Sequence, residues 1–458
     1  MKIKIDLPKD IAEIIADLKK AGFEAYAVGG CIRDSLLGVE PKDWDITTNA
    51  TPEQVKTVFE GVFNSFENNG EKFGTVCLKA TSMNVEVTTY RKDGVYEDSR
   101  HPREISYAKT IEEDLVRRDF TINAIAYDGE KIIAVEKALD DLDNKIVRTV
   151  GVPEKRFEED ALRILRAVRF ASTLGFDVET KTKEAIHDNV FLLSKVSAER
   201  KQKEFNGILL GFYVEKPLLE FSDVISQVAP KIESCVGFEQ NNPYHRHNVY
   251  DHIVAVIKET KPDLETRLAA FFHDIGKPLA YSEEVKDGKV RGHFYGHPII
   301  STEICIEQMK ELKYSAETIS NVAWLVEKHD TKFVVNKKNV KRLLNACNGN
   351  LELFDKLLDL KLADRKDHTV PPDEMDFEKL HELKEEIIKE QEAFSLKDLE
   401  IDGYDMIKLG LKGKEIGSAL NYVFEKVLNE ELPNNKETLL SEIEKEFQIN
   451  ESYETDEQ

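Results

Sequence analysis

An α/β head over residues 1–150 followed by a long all-α remainder is the fold class this sequence predicts. Three observations predict it. Short strand-like and helix-like segments alternate up to Val150. From about Glu154 onward the strand signal almost disappears and helical segments follow one another. The 458 residues also exceed what one core needs, and a prior of ~150 residues per domain suggests about three domains.

Taken in order, "EAYAVGG" (24–30) is short and apolar, and "CIRDSLLG" (31–38) reads as one or two helical turns stopped at Gly38. "DWDITT" (43–48) is strand-like. "TPEQVKTVFE" (51–60) opens a helix with Thr51 as N-cap and Pro52 at the first helical position. "GTVCLKA" (74–80) and "NVEVTTYR" (84–91) read as a paired hairpin. Beyond the head, "EEDALRILRAVRFAST" (158–173), "SAERKQKEFNGILL" (197–210), "RLAAFFHDI" (267–275), "STEICIEQMKEL" (301–312) and "SNVAWLVEKH" (320–329) all carry helical periodicity. The last residues, "NESYETDEQ" (450–458), are polar and expected to be disordered.

Bulk properties exclude several classes. No apolar run approaches the ~20 residues of a membrane span, and "MKIKIDLPKD" lacks the apolar core of a signal peptide. The five cysteines are scattered without a CxxC pair, which suits a reduced cytoplasmic protein without disulfide framework or zinc knuckle. The net charge of −23 argues against indiscriminate nucleic-acid binding. Most of it lies late: from Pro371 on, 25 acidic against 10 basic residues leave −15, so any phosphate-binding surface must be local.

Asp43 and Asp45 flank Trp44 on the third segment. Alternation along a strand puts both carboxylates on one side and the indole on the other. Two carboxylates ~5 Å apart repel by roughly 3 kcal/mol at an effective dielectric near 20, a cost that a divalent cation removes. Oxygen-only ligation by few protein groups suits Mg²⁺, which keeps places for water and phosphates. Glu86, on the neighbouring strand-like segment, is a candidate third carboxylate. Gly29 and Gly30 let a triphosphate approach the backbone, and Arg33 offers a forked phosphate donor.

The ordered set GG-x2-RD-x3-G-x4-D-x-D resembles the catalytic motif of the class II tRNA nucleotidyltransferases, the CCA-adding enzymes, within the polymerase-β-like nucleotidyltransferase superfamily. Further stretches resemble the family's motifs in the family's order. "EEDLVRRDFTINAIAYD" (112–128) is similar to the ribose- and phosphate-reading motif, and "RFEEDALRILRAVRFA" (156–171) to the base-selecting one. "SAERKQKEF" (197–205) is similar to the neck motif, and residues 396–428 to the tail that holds tRNA. The resemblance implies a polymerase-β-like palm in the head (1–150), a neck with a nucleotide-selecting helix (151–212), a helical body (213–380) and a tRNA-binding tail (381–458). It implies Asp43 and Asp45 as catalytic, Mg²⁺-binding residues, and Arg117 and Arg118 as ribose and triphosphate contacts. It assigns base selection to Asp160 and Arg163, and places Arg166 and Arg169 near nucleotide or primer.

Base chemistry supports that assignment. Asp160 and Arg163 are expected at i and i+3 on one helix face, where an intrahelical salt bridge is the plainer alternative. Cytosine and adenine each present an amino donor beside a ring-nitrogen acceptor. A carboxylate and a guanidinium read that pattern, whereas uracil and guanine present it reversed. Leu162, Leu165 and Val168 supply the packing face between the arginines. "RKDGVYEDSRHPREISY" (91–107) resembles the loop family members need for the final adenosine. The implied reaction is CCA addition to tRNA from CTP and ATP. The alternatives are an A-adding enzyme or poly(A) polymerase, and a non-catalytic RNA-binding scaffold.

A second constellation lies in the helical body, over about 245–370. "HRHNVYDHIVAVI" (245–257) and "RLAAFFHDIGKP" (267–278) precede His297, His329 and Asp364. Imidazoles and carboxylates on several helices suit a divalent metal. The pattern resembles the HD-superfamily phosphohydrolases. That resemblance matches His252, His273, Asp274 and Asp364, with His297 and His329 as the extra ligands of two-metal versions. It implies a phosphomonoester or 2′,3′-cyclic phosphate as substrate. His245 and His247 read as surface or loop residues. In the tail, "GLKGKEIGSAL" (410–420) places glycines before a helix, where small residues and free amides suit backbone phosphate.

Overall fold

A computed structural model describes residues 4–60, 66–67, 74–81, 83–92, 106–242, 244–286, 289–332, 334–369, 376–390 and 392–448. Most of the 91–107 stretch and all of 450–458 lie outside the described residues. The chain divides into two compact units: Met1–Glu233 with Glu311–Lys313, and Ser234–Lys310 with Tyr314–Gln458.

The first unit is built on strands β1 (Ala25–Val28), β2 (Asp45–Thr48), β3 (Phe66–Glu67), β4 (Thr75–Lys79), β5 (Asn84–Thr89), β6 (Arg91–Lys92), β7 (Ser106–Tyr107), β8 (Ile125–Tyr127) and β9 (Ile132–Ala134). Seven of them form one mixed sheet in the order β3-β4-β5-β2-β1-β8-β9, while β6 and β7 pair separately. The expected hairpin is present as the antiparallel pair β4–β5. The helix Lys9–Lys20 buries Ile11, Ile14, Ile15 and Leu18, one stripe at helical spacing. Thr51 and Gln54 close a capping box on the helix Pro52–Val58.

After the sheet strands in the chain come helices Pro153–Glu159, Leu162–Leu174, Thr180–Asn189 and Ala198–Leu209. Here the expectation of one continuous helix through Asp160 is corrected. Asp160 has extended backbone (φ −146°, ψ 102°) and ends the first helix. Its carboxylate accepts the Leu162 N–H at 3.1 Å, a local bond that competes with continuation of the helix. Leu162, Leu165 and Val168 do form the buried face of the helix that restarts. That helix lies close against Ala198–Leu209. A Cβ on Gly207 would fall 2.3 Å from Arg169 Cδ, and one on Gly211 2.0 Å from Ser172 Oγ.

The second unit is helical, with Val249–Glu259, Leu264–Phe272, His297–Glu311, Ala316–Lys328 and Leu351–Asp367 at its centre. One hairpin, Ser282–Lys286 with Lys289–His293, departs from the all-helical expectation. Its charged sequence, "SEEVK" and "KVRGH", carries no apolar alternation that would reveal it. Further on, Met406, Val423, Phe424, Leu439 and Ile443 belong to a separate apolar cluster of the tail helices. The helix Lys414–Leu428 begins after Gly413 (φ 58°), and the Glu415 carboxylate takes the Lys412 N–H at 3.1 Å. The glycine-rich start expected to offer free amides therefore carries an acidic side chain. No helix among the described residues is long and apolar enough to cross a membrane.

Candidate functional site

In the first unit the strand begins at Asp45, so Asp43 stands just ahead of it. The alternation holds nonetheless: Asp43 and Asp45 are exposed and Trp44 is buried. The parallel pairing of β2 with β5 sets Asp45 directly opposite Glu86, whose neighbours Val85 and Val87 face inward. Desolvation, then Glu86 and Asp43, push the Asp45 carboxyl above its usual pKa, against the pull of Arg118. An acidic group unable to shed its like-charged neighbours is what a hard divalent cation stabilises, so these residues fit a metal.

Gly29 ends β1 with φ 86°, and a Cβ there would lie 3.0 Å from Arg118 Nη1. Glycine is thus required twice, by backbone conformation and by the close guanidinium. Gly30 is under no such constraint. Arg33 is buried, with its fork on Asp34 and its Nη1 donating to Asn123 Oδ1 at 2.7 Å. Arg117 and Arg118 share one anchor that sequence reasoning did not single out, the buried Asp114. Arg117 Nη2 lies 2.7 Å from its Oδ1 and Arg118 Nη2 3.3 Å from its Oδ2. The Arg91 backbone N–H also donates to Asp114, at 3.2 Å. Burial alone would raise the Asp114 pKa, but Arg117 and Arg118 outweigh it and hold the carboxyl below its usual value.

Asp160 and Arg163 do not bond to each other. Asp160 Oδ2 accepts from Arg200 at 2.8 Å. Arg163 donates to the Glu159 carboxylate at 2.6 Å and to the carbonyls of Arg156 and Arg117, both at 3.1 Å. The helix break at Asp160 decides this, because it removes the i,i+3 geometry. Arg166 donates to Asp119 at 2.7 Å, and Arg169 to the buried Glu204 at 2.5 Å. Guanidinium groups of Arg33, Arg166 and Arg169 lie 5.2, 5.4 and 4.5 Å from the ring centre of Phe170. One aromatic face-and-edge system thus orders three cations.

In the second unit the other five predicted ligands gather around the sixth, the buried Asp274. Its Oδ2 lies 3.2 Å from Nε2 of both His252 and His273. Its Oδ1 lies 3.1 Å from His297 Nε2 and 3.7 Å from His329 Nε2. Asp364 Oδ1 is 3.1 Å from His252 Nε2. The opposite nitrogen of each ring is bonded: His273 Nδ1 to the Ala270 carbonyl (2.7 Å), His297 Nδ1 to that of Phe294 (2.9 Å) and His329 Nδ1 to that of Val326 (2.6 Å). His252 Nδ1 bonds the Asp367 carboxylate at 2.8 Å. With each Nδ1 bonded to a carbonyl or carboxylate, four Nε2 atoms converge on one carboxylate, the arrangement of metal-ligating histidines. Lys277, buried beside them, bonds Asp274 at 2.6 Å and Gln240 at 2.8 Å.

His245 lies in a loop, as one of the two readings had it, but is half-buried rather than on the surface. Burial pushes its pKa down to about 2, and it packs against His252 and His368. His247 is exposed, yet its Nδ1 lies 3.0 Å from Asp367. His368, Asp367 and Lys277 were not foreseen. The signal available was helical spacing: Lys277 stands three residues after Asp274, and Asp367 and His368 stand three and four after Asp364.

Three families match the chain: the Poly A polymerase head domain over residues 25–148, the probable RNA and SrmB-binding site of polymerase A over 175–234, and the putative tRNA nucleotidyltransferase domain 2 over 300–443. The CCA-adding enzyme of Lactobacillus helveticus is 37% identical over 298 residues, covering 62% of this chain and 72% of that relative. The chain belongs to the CCA-adding enzymes. That of Ligilactobacillus salivarius is 44% identical over 216 residues, and the match spans about half (52%) of that relative's length. The crystal structure of the Bacillus stearothermophilus CCA-adding enzyme in complex with CTP superimposes with a TM-score of 0.75 at 25% identity, over 96% of this chain and 97% of that one. The Thermotoga maritima enzyme complexed with tRNA shares the fold, with a TM-score of 0.58 at 18% identity over 95% and 94% of the two chains.

As a CCA-adding enzyme, the chain is a nucleotidyltransferase, a class that uses a divalent metal. The head-domain match contains Asp43, Asp45, Glu86, Asp114, Arg117 and Arg118. The match over 175–234 contains Arg200, Glu204 and Gly207, the residues that receive Asp160 and Arg169.

Proposed function

We propose that this chain adds C, C and A in turn to the 3′ end of tRNA, taking CTP and ATP without a nucleic-acid template. The observation that carries this reading is the register that puts Glu86 opposite Asp45, next to arginines anchored on Asp114. Mg²⁺ held by Asp43 and Asp45, with Glu86 beside them, supplies charge stabilisation for the triphosphate and a more acidic 3′-hydroxyl. Arg117 and Arg118 bind ribose and triphosphate, with Gly29 leaving room for the Arg118 guanidinium.

Asp160 and Arg163 read the base. Asp160 is held by Leu162 and Arg200, and Arg163 by Glu159 and two carbonyls, so neither reorganises when a base arrives. Each keeps hydrogen-bonding capacity: the carboxylate accepts at further lone pairs, and three of five guanidinium N–H groups are engaged. Arg33, Arg166 and Arg169 shape the pocket behind the base through Phe170. Head (1–150), neck (151–212), body (213–380) and tail (381–458) divide the labour, the tail holding tRNA. The five free thiols suit the cytoplasm.

The test is incubation with tRNA trimmed of its last three nucleotides, CTP and ATP, followed by sequencing of the product ends. A terminal CCA is expected. Oligo(A) of indefinite length would make the chain a poly(A) polymerase. Addition only to tRNA already ending in CC would make it an A-adding enzyme.

The convergence of four imidazole Nε2 atoms on Asp274 supports a second activity. Divalent transition metal bound by His252, His273, Asp274, Asp364, His297 and His329 fits hydrolysis of phosphomonoesters or 2′,3′-cyclic phosphates. Phosphate release from the monoesters and ring opening of the cyclic phosphates to monoesters, by manganese-loaded protein, are the measurements. Neither reaction above a chelated control would confine the second unit to scaffolding.

A further inference from the structure

Asp274 and the five ligands around it leave two histidines of the same cavity unexplained. The cavity, about 630 Å³, is also lined by His245 and His368. A backbone bridge joins these two residues in antiparallel fashion, and the Thr369 N–H donates to the Tyr244 carbonyl at 2.9 Å. The fold therefore fixes their approach: ring centres lie 4.5 Å apart at an interplanar angle of 73°. Ligand atoms of His245, His252 and His368 all fall within 4.8 Å of one another. His368 Nε2 lies 3.4 Å from Asp364 Oδ1, the oxygen that also faces His252.

Each ring buries an Nδ1 that has no hydrogen-bond partner among the described residues. An unsatisfied buried nitrogen costs ~1–3 kcal/mol, a cost that a ligand removes. His252 does not supply the partner, because its Nδ1 is taken by Asp367 and its Nε2 faces Asp274 and Asp364. The other four imidazoles each have one nitrogen bonded and the other aimed at Asp274. His245 and His368 follow neither pattern, so they belong to a different position.

We propose that His245 and His368 hold a third divalent transition-metal ion in this cavity. Imidazole ligands favour Mn²⁺, Fe²⁺, Co²⁺ or Zn²⁺ over Mg²⁺. The inference rests on metal binding at the Asp274 positions.

Crystals of the 458-residue chain soaked in Mn²⁺ alone decide it by anomalous scattering. The expected map has two peaks beside Asp274 and a third within roughly 2.0–2.3 Å of nitrogens of both His245 and His368. Peaks beside Asp274 without the third overturn this proposal and leave the two-metal reading intact. No peak at any of these positions overturns both. In solution, His368→Gln should lower bound manganese by one ion per chain relative to the wild type. The difference cancels any ion at Asp43 and Asp45, and an unchanged count contradicts the assignment.

Discussion

Asp45 and Glu86 stand opposite one another across the parallel pairing of β2 and β5, side by side through backbone register alone. A carboxyl whose pKa is raised by folding, as for Asp45, weakens the fold as pH rises through its ordinary value near ~4. Removing the neighbouring charge should relieve this. In Glu86→Gln, metal-free protein at pH 7 is expected to melt about 1–2 °C higher than wild type. Nucleotide incorporation should fall about 10–100-fold as metal binding weakens. Melting curves with and without Mg²⁺, alongside incorporation rates, check both. A variant that melts lower and incorporates normally would remove Glu86 from the site.

Asp114 tests the anchoring of the triphosphate arginines. Asp114→Asn leaves Arg117 and Arg118 against a neutral amide in a fully buried position. Breaking a buried pair from one side costs about 3–5 kcal/mol, and a retained amide acceptor places this variant at the lower end. The KM for CTP is expected to rise about tenfold or more, with a smaller change in kcat. Denaturant titration and steady-state kinetics supply the two readouts, and unchanged KM would mean that the arginines hold their places without Asp114.

Asp119 predicts an acid dependence. Its desolvation is outweighed by Arg166 and Asn123, which bring its pKa down to about 2. A carboxyl depressed by folding contributes stability that is complete above its unfolded pKa of ~3.9. The contribution is lost as pH falls through the folded value. The stability difference between wild type and Asp119→Asn should therefore be about 2–3 kcal/mol at pH 7 and shrink between pH ~4 and ~2. Urea titrations across that range measure it, and a constant difference would place the effect elsewhere.

Gly207 sets opposing effects against each other. Alanine in a helix gains about 1 kcal/mol over glycine. The added methyl, however, meets Arg169 Cδ at 2.3 Å and drives the guanidinium from the buried Glu204. Overpacking costs ~1–3 kcal/mol, and an unpaired buried carboxylate adds to that. Gly207→Ala should thus be net destabilising and slow incorporation, whereas Gly417→Ala, at an exposed helical glycine with open space around its Cβ, should not be destabilising. Thermal melts of both variants decide between the two terms.

The primary sequence by itself determined the local geometry of the chemistry. Alternation around Trp44 exposed Asp43 and Asp45, Thr51 capped its helix, and the "HD" pair at 273–274 arrived already adjacent. These are short-range consequences of strand period, helix period and capping. Tertiary structure decided what depends on partners distant in the chain. Glu86 became a neighbour of Asp45 only through strand register, and Asp114 became the anchor of two arginines only once buried beneath them. Asp160 left the helix because its carboxylate found Leu162 and Arg200. His245 and His368, separated by most of the second unit, met through a single backbone bridge. Side-chain periodicity encodes which face a residue takes, whereas long-range pairing decides what that face meets.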